Sequence, residues 1–266
     1  MELPVPTQAS SAPRPVRCAP QSTGLEVMWA RHLDEVRSAQ RLRYQVFFEE
    51  MGARLSPTPG TPAGHDADGF DRYCEHLIVR TRQDGQSPGR VIGTYRVLTP
   101  WAAQRAGGLY SDTEFDLSRL QGLRSGMVEL GRSCIDPAWR NGGVILALWA
   151  ALGEFMQRHS LHTMVGCASI GMRDGGHVAA SLWQRLRQSH LADLAFQVRP
   201  RLPLPVEQLE QHHEVEAPAL IKGYLRCGAK LLGPPAWDPD FNTADLPMMM
   251  RLTDLSDRYR RHFLGC

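Results

Sequence analysis

The spacing of apolar positions changes period several times along this chain. Residues 25–30 read as a short strand. Residues 34–51 repeat apolar positions at helical spacing, with Asp34 placed to cap the start and Gly52 to end it. A proline- and glycine-rich loop over 53–74 ends in Asp66-Ala67-Asp68-Gly69-Phe70-Asp71. Two strands, 75–81 and 90–98, flank Gln83-Asp84-Gly85-Gln86, a sequence that predicts an antiparallel hairpin. Residues 99–125 look irregular or partly helical.

The stretch from Met127 to Met156 is the most informative. Residues 127–135 are short and apolar-rich and stop before Asp136-Pro137, a turn signal. Val144, Ile145, Leu148, Ala151, Leu152, Phe155 and Met156 then recur at helical spacing. A strand over 162–170 completes a β-α-β crossover whose neighbours should be parallel. Residues 171–216 read as an insertion, with a helix over 177–189 and an extended stretch over 199–205. A helix over 217–228, a strand over 247–253 and a basic helix over 254–263 follow. The order β-α-β-β-β-α-β-α-β predicts an α/β fold: a mixed, partly antiparallel central sheet with helices on both faces. Residues 1–23, rich in proline, are expected to be a disordered arm, leaving 24–266 as a single domain.

Composition narrows the function classes. A net charge of +2 makes no demand for nucleic acid, and the longest apolar run, 144–152, is far too short to span a bilayer. The positive side chains are nearly all arginine, which suits fixed contacts to phosphate or carboxylate. The six cysteines (18, 74, 134, 167, 227, 266) show no Cys-x-x-Cys, so free thiols in a reducing cytoplasm are expected.

Three places can carry chemistry. Glu129 and Arg132 would point to opposite faces of a regular strand; a bulge near Gly131 would bring both to one face and free a backbone N–H for an oxyanion. The alternative is a plain ion pair at a strand end. Arg140-Asn141-Gly142-Gly143-Val144 opens a helix, where free N–H groups and the positive dipole end suit a phosphate, or it is an ordinary turn. Tyr224, late in a helix that stops at Gly228, is either a proton donor to a leaving thiolate or a packed phenol. The acidic loop Asp66, Asp68, Asp71 and the second cluster 238–245 could each grip a cation or simply be solvated. No cysteine or carboxylate stands at zinc spacing from the histidines, so no metal is expected, and Cys167 has no identifiable base.

The strand followed by Arg140-x-x-Gly143, with Tyr224-x-x-x-Gly228-Ala229 later, resembles Gcn5-related N-acetyltransferases. Ile145 departs from that pattern, because Gly or Ala usually stands there. A closer resemblance lies in Arg43–Gly52, Asp68-Gly69-Phe70-Asp71, Val91-Ile92-Gly93-Thr94-Tyr95-Arg96 and Glu129-Leu130-Gly131-Arg132. These resemble the family shared by acyl-homoserine-lactone synthases and ornithine lipid acyltransferases. Tyr110–Phe115, Gly166–Ser169, Lys222–Arg226 and Asp240–Asp245 look like the ornithine lipid branch.

That resemblance implies transfer of a 3-hydroxyacyl chain from acyl carrier protein to the α-amino group of L-ornithine, giving lyso-ornithine lipid. The donor's phosphopantetheine belongs to the carrier protein, so no resident cofactor is expected. Glu129, Gly131 and Tyr224 would be catalytic; Arg132, Arg140, Gly142, Gly143 and Val144 would hold the donor; Arg43, Asp68, Asp71 and Arg96 would hold the amino acid. Arg119, Arg124, Arg132 and Arg140 would steer the acidic carrier protein, and the insertion would cover the acyl chain. A cytoplasmic site with peripheral membrane contact would suit such a product. The alternatives are a lactone-synthase-like or other amino-acid N-acyltransferase, or a carrier-protein-binding module without chemistry.

Overall fold

The computed structural model describes residues 24–82, 89–255 and 259–260. The N-terminal arm, the turn at 83–86 and most of the expected C-terminal helix lie outside them. The strands are β1 Leu25–Trp29, β2 Glu75–Thr81, β3 Val91–Leu98, β4 Phe115–Asp116, β5 Met127–Ile135, β6 Thr163–Gly171, β7 Arg199–Pro200, β8 Lys230–Leu231, β9 Ala236–Asp238 and β10 Thr243–Arg251. The α-helices are α1 Leu33–Tyr44, α2 Pro100–Ala106, α3 Ser111–Glu114, α4 Gly143–Arg158, α5 His177–His190 and α6 Ala219–Arg226.

The main sheet runs β1-β2-β3-β5-β6-β10-β8, with β9 also on β10, while β4 and β7 form a separate pair. Every pairing in the main sheet is antiparallel except β5 with β6. The mixed sheet and the crossover at β5-α4-β6 are as the sequence predicts. β10 begins earlier than the expected 247–253, taking in the end of the second acidic cluster.

Period-two alternation divides the core. Leu77, Val79, Tyr95 and Val97 face α4, where they pack with Val144, Leu148 and Leu152. The intervening Thr94 and Arg96 are buried on the opposite face, beneath α1. Asp34 does not cap α1: His32 is the N-cap, and Glu35 accepts the Arg31 and His32 N–H groups at 2.7 and 3.1 Å. The helix then widens into a π turn over Gln45–Glu50 and stops at Gly52, whose φ of +80° favours glycine.

The insertion, expected to cover an acyl chain, packs into the core instead of lining the cavity at the fork. Ala179, Leu182, Trp183 and Leu186 of α5 are buried against Ala168, Ile170, Leu246 and Ile221. They complete the core at the β6–β10 end of the sheet.

β5 and β6 are paired only over Met127–Glu129 and Thr163–Val165, although both strands run on for six further residues. The strands separate beyond that point, and the gap faces the site. Gly166 stands at the fork: a Cβ there would lie 2.3 Å from the Leu130 carbonyl oxygen, a backbone atom that cannot swing aside. Gly166→Ala is therefore expected to destabilise the fold by about 1–3 kcal/mol, as overpacking does. A urea-unfolding midpoint equal to wild type would show that the fork has slack.

Candidate active site

The fork opens into a cavity of about 540 Å³. Its walls come from β3, β5, β6, β10, the π turn after α1, the start of α4 and the start of α6. Glu129, Gly131, Arg132, Arg140, Gly142, Tyr224 and Arg96 all line it, so one groove joins the donor turn to the late tyrosine.

The predicted bulge is present. Thr94 pairs with Cys134 and Arg96 with Gly131, so β5 carries one residue more than β3 across this interval. Arg132 takes up the excess in a left-handed conformation, φ +49°. The bulge brings Glu129 and Arg132 to the same cavity. Among the described residues no atom lies within 4 Å of a Cβ built on Gly131, so the space above its Cα is open, and the residue lines the cavity.

Glu129 is buried and tightly held. Its carboxylate accepts the Tyr110 N–H at 2.7 Å, the Ser111 N–H at 2.7 Å and the Ser111 hydroxyl at 2.5 Å. Burial pushes its pKa up, and the Ser111 and Tyr110 donors pull back only part of that shift. The result is a carboxylate more basic than usual in a fixed orientation.

Across the cavity, the Tyr224 hydroxyl meets the Tyr95 hydroxyl, and the Tyr224 ring stacks on Trp149 at 5.4 Å. Burial, reinforced by the nearby Tyr95, raises the Tyr224 phenol well above its ordinary range. It is therefore a neutral donor. Tyr95 had no role in the sequence reading, although it sits in the Val91–Arg96 motif.

The amino-acid set needs correction. Arg43 is fully buried and does not reach the cavity; its guanidinium pairs with Asp66 at 2.9 Å and Asp71 at 2.5 Å. Arg96 binds Asp68 at 2.6 Å and Asp71 at 3.0 Å, and Arg132 binds Asp68 at 3.1 Å. Three carboxylates are thus matched by three guanidiniums. Burial alone would raise the Asp68 and Asp71 pKa values, but Arg96 and Arg132 at Asp68, and Arg43 and Arg96 at Asp71, outweigh it and hold both low. Neither aspartate lines the cavity or is free to meet a cationic amine.

The donor set divides as well. Arg132 is turned inward, with its guanidinium 4.8 Å from the Tyr110 ring and 4.6 Å from that of Phe241. Arg140 stays at the exposed mouth, paired through two 2.6 Å bonds to Glu50. Gly142, φ +93°, caps α4 beside it. Gly143 donates its N–H to the Asn141 side chain at 3.2 Å, and the Val144 side chain is buried towards Gly93, so neither lines the cavity. Ile145 fills part of the mouth. Arg124 is bound to Asp112, which offsets its charge, whereas Arg119 donates to the Leu194 carbonyl and stays exposed with its charge unmatched among the described residues.

A group only partly marked in the sequence, by the second acidic cluster 238–245, lies deeper. Glu114, Cys167 and Asp245 bring one ligand atom each within 4.8 Å of the others, and Asp238 stands near them. Cys167 donates to Glu114 at 3.3 Å. Burial beside these carboxylates raises the Cys167 thiol well above its ordinary pKa, which removes it as a nucleophile. Cys74, Cys134, Cys167 and Cys227 are free thiols, of which only Cys134 and Cys227 are fully buried.

A sheet that forks between parallel strands, with a glycine-opened helix at the fork, defines an acyltransferase of the Gcn5-related class. Residues 42–150 match the profile of the acetyltransferase (GNAT) domain. Two solved structures share the fold: the AHL synthase LasI (TM-score 0.50, 16% identity, 91% of this chain and 95% of that one) and FeeM, an N-acyl amino acid synthase from uncultured soil microbes (TM-score 0.53, 10% identity, 87% and 94%). Sequence relatives are much nearer. The L-ornithine N(alpha)-acyltransferase of Agrobacterium fabrum is 34% identical over 253 residues, covering 91% of this chain and 85% of that protein. That of Rhodobacter capsulatus is 34% identical over 249 residues, covering 90% and 94%. The chain belongs to the L-ornithine N(alpha)-acyltransferase family and is an acyltransferase.

The buried arginine–aspartate cluster makes its own prediction. Asp68 and Asp71 have folded pKa values below the unfolded value of about 3.9, so the native state binds fewer protons than the unfolded chain. Their stabilisation is full above that value and is lost as pH falls through the folded values. Asp71→Asn should cost about 3–5 kcal/mol at neutral pH, since it strips a buried Arg43 of one partner, and should flatten the fall in stability below pH about 4. Urea melts from acid to neutral pH measure both; a variant as stable as wild type would deny the cluster its structural role.

Proposed function

We propose that this enzyme transfers a 3-hydroxyacyl chain from acyl carrier protein to the α-amino group of L-ornithine, giving lyso-ornithine lipid. The observation that carries the reading is a single cavity that holds a basic buried carboxylate, an open bulge and a neutral phenol, in a chain whose relatives are named for ornithine acylation.

The chemistry follows from placement. The α-amino group titrates near pH ~8, so about a tenth is neutral at pH 7. The neutral amine attacks the thioester carbon, and Glu129 takes the one proton the nitrogen sheds as the C–N bond forms, the other staying as the amide N–H. Backbone N–H at the Gly131 bulge stabilises the tetrahedral oxyanion. When the carbon–sulfur bond breaks, Tyr224 protonates the leaving thiolate, with Tyr95 orienting its hydroxyl. Direct attack needs no acyl-enzyme, in keeping with the protonated Cys167.

The donor reading rests on the mouth. Arg140 binds the Glu50 carboxylate and Arg173 donates to the Glu50 backbone carbonyl at 3.0 Å, so two guanidiniums stand beside a single carboxylate near the Gly142 turn. That local excess of positive charge suits an acidic protein bearing a single phosphodiester. No helix among the described residues is long and apolar enough to cross a membrane; the acyl product would place the enzyme at a membrane surface only through release.

Two measurements test this. Glu129→Gln should lower turnover of 3-hydroxyacyl carrier protein with ornithine by about 10²–10⁴-fold while donor binding survives. Equal turnover would remove Glu129 as the base. Arg140→Glu with Arg173→Glu should raise KM for the acyl carrier protein about tenfold or more, with a weaker salt dependence and an unaltered KM for ornithine. If KM for the carrier protein does not move, the donor docks elsewhere.

A further inference from the structure

The acidic residues expected to receive the second amine are already paired with arginines, so an amino acid with a cationic side chain needs another anionic site. Among the described residues, no ion pair engages Glu114, Asp238 or Asp245. Asp245 is 5% exposed and lines the cavity; one of its oxygens accepts the Thr243 hydroxyl at 2.9 Å. Glu114 does not line the cavity itself but stands directly behind Cys167, which does, and among the described residues its buried Oε1 has no hydrogen-bond partner. Asp238 lines the same wall, accepting the Asp240 and Phe241 N–H groups at 2.8 and 3.0 Å. Buried carboxylates gathered without a cation are unfavourable unless a ligand supplies one.

We infer that Glu114 and Asp245, with Asp238 beside them, form the subsite for the side-chain ammonium of a diamino-acid acceptor, and so separate it from neutral amino acids. The inference rests on the ornithine reading above and says which residues read the second amine. Reach and geometry agree. The Glu114 and Asp245 oxygens lie within 4.8 Å of each other, so one nitrogen between them can donate to both. Glu129 and Glu114 are linked through Ser111 and Cys167 by contacts of 2.5, 3.8 and 3.3 Å. The two nitrogens of an extended ornithine are about 6 Å apart. With a hydrogen bond at each end, such a molecule is long enough to reach from the base to the subsite along that path.

The electrostatics point the same way. Burial, then the neighbouring Asp245 and Asp238, raise the Glu114 pKa; burial, with Asp238, raises that of Asp245. The other groups facing them are Cys167, Tyr110, Ser169, Thr243 and the more distant Arg132. An arriving ammonium favours both ionised forms, so ornithine binding should release protons and weaken as pH falls.

The test compares L-ornithine with L-norvaline, which has the same carbon chain without the terminal amine, using one acyl donor. Wild type should favour ornithine strongly in kcat/KM. Glu114→Gln and Asp245→Asn should shrink that preference by about 30-fold or more through the KM for ornithine, and reduce its pH dependence. Thermal melts separate this from misfolding. Should a buried variant fail to fold, the half-buried Asp238→Asn carries the test, with a smaller loss of preference expected. A wild type that prefers ornithine while the folded variants keep the full preference overturns the subsite and leaves the ornithine reading intact. A wild type indifferent to ornithine sinks the reading and the subsite together. Turnover abolished by EDTA and restored by a divalent metal would overturn the subsite by assigning the same three ligand atoms to a metal ion.

Discussion

The separation of β5 from β6 after three paired residues is the constraint on which the rest of the structure depends. A parallel pair that stayed closed would be a continuous wall and would bury its backbone groups in a ladder. By parting, the strands leave backbone to be satisfied by a ligand and make room for one. Gly166 keeps the fork tight at its apex, because the Leu130 carbonyl occupies the space a side chain would need. The bulge follows one step further along β5, and α4 opens at the mouth of the same gap.

Charge is distributed around that gap in two kinds. On the α1 side, arginines and aspartates are matched and act as a buried frame behind the bulge. On the β6–β10 side, carboxylates lack such matches. The first set fixes shape, since each charge already has its partner. The second retains an unmet demand for positive charge, and a substrate can answer it. The same residue type thus has opposite roles a short distance apart, decided by whether an arginine on another element arrives first.

Much of the fold was legible in the sequence. The strands 75–81 and 127–135 have clear turn signals at their ends, and the helix after Gly143 keeps a helical period through Met156. The bulge was legible only as one of two options: an extra residue near Gly131 would bring Glu129 and Arg132 to one face, but spacing alone suited a strand-end ion pair as well. The strands β4, β7, β8 and β9 were not, being two or three residues long. Nor was the burial of Arg43: an arginine in a helix with polar neighbours reads as surface, and its partners Asp66 and Asp71 lie on a distant loop. Glu114 and Asp245 sat inside motifs that marked the family branch. Only the folded chain brings α3, β6 and β10 together around them.

Arg132 holds a left-handed backbone conformation that a glycine would adopt without strain, at a penalty of about 1 kcal/mol or more. A glycine there would relax the chain but lose the guanidinium that reaches Asp68. The bend of β5 at the bulge is therefore latched electrostatically by a loop some sixty residues upstream. That loop and the bulged strand are thereby held in register with each other: removing the Asp68 charge would loosen the side chain that ties the bend to the loop.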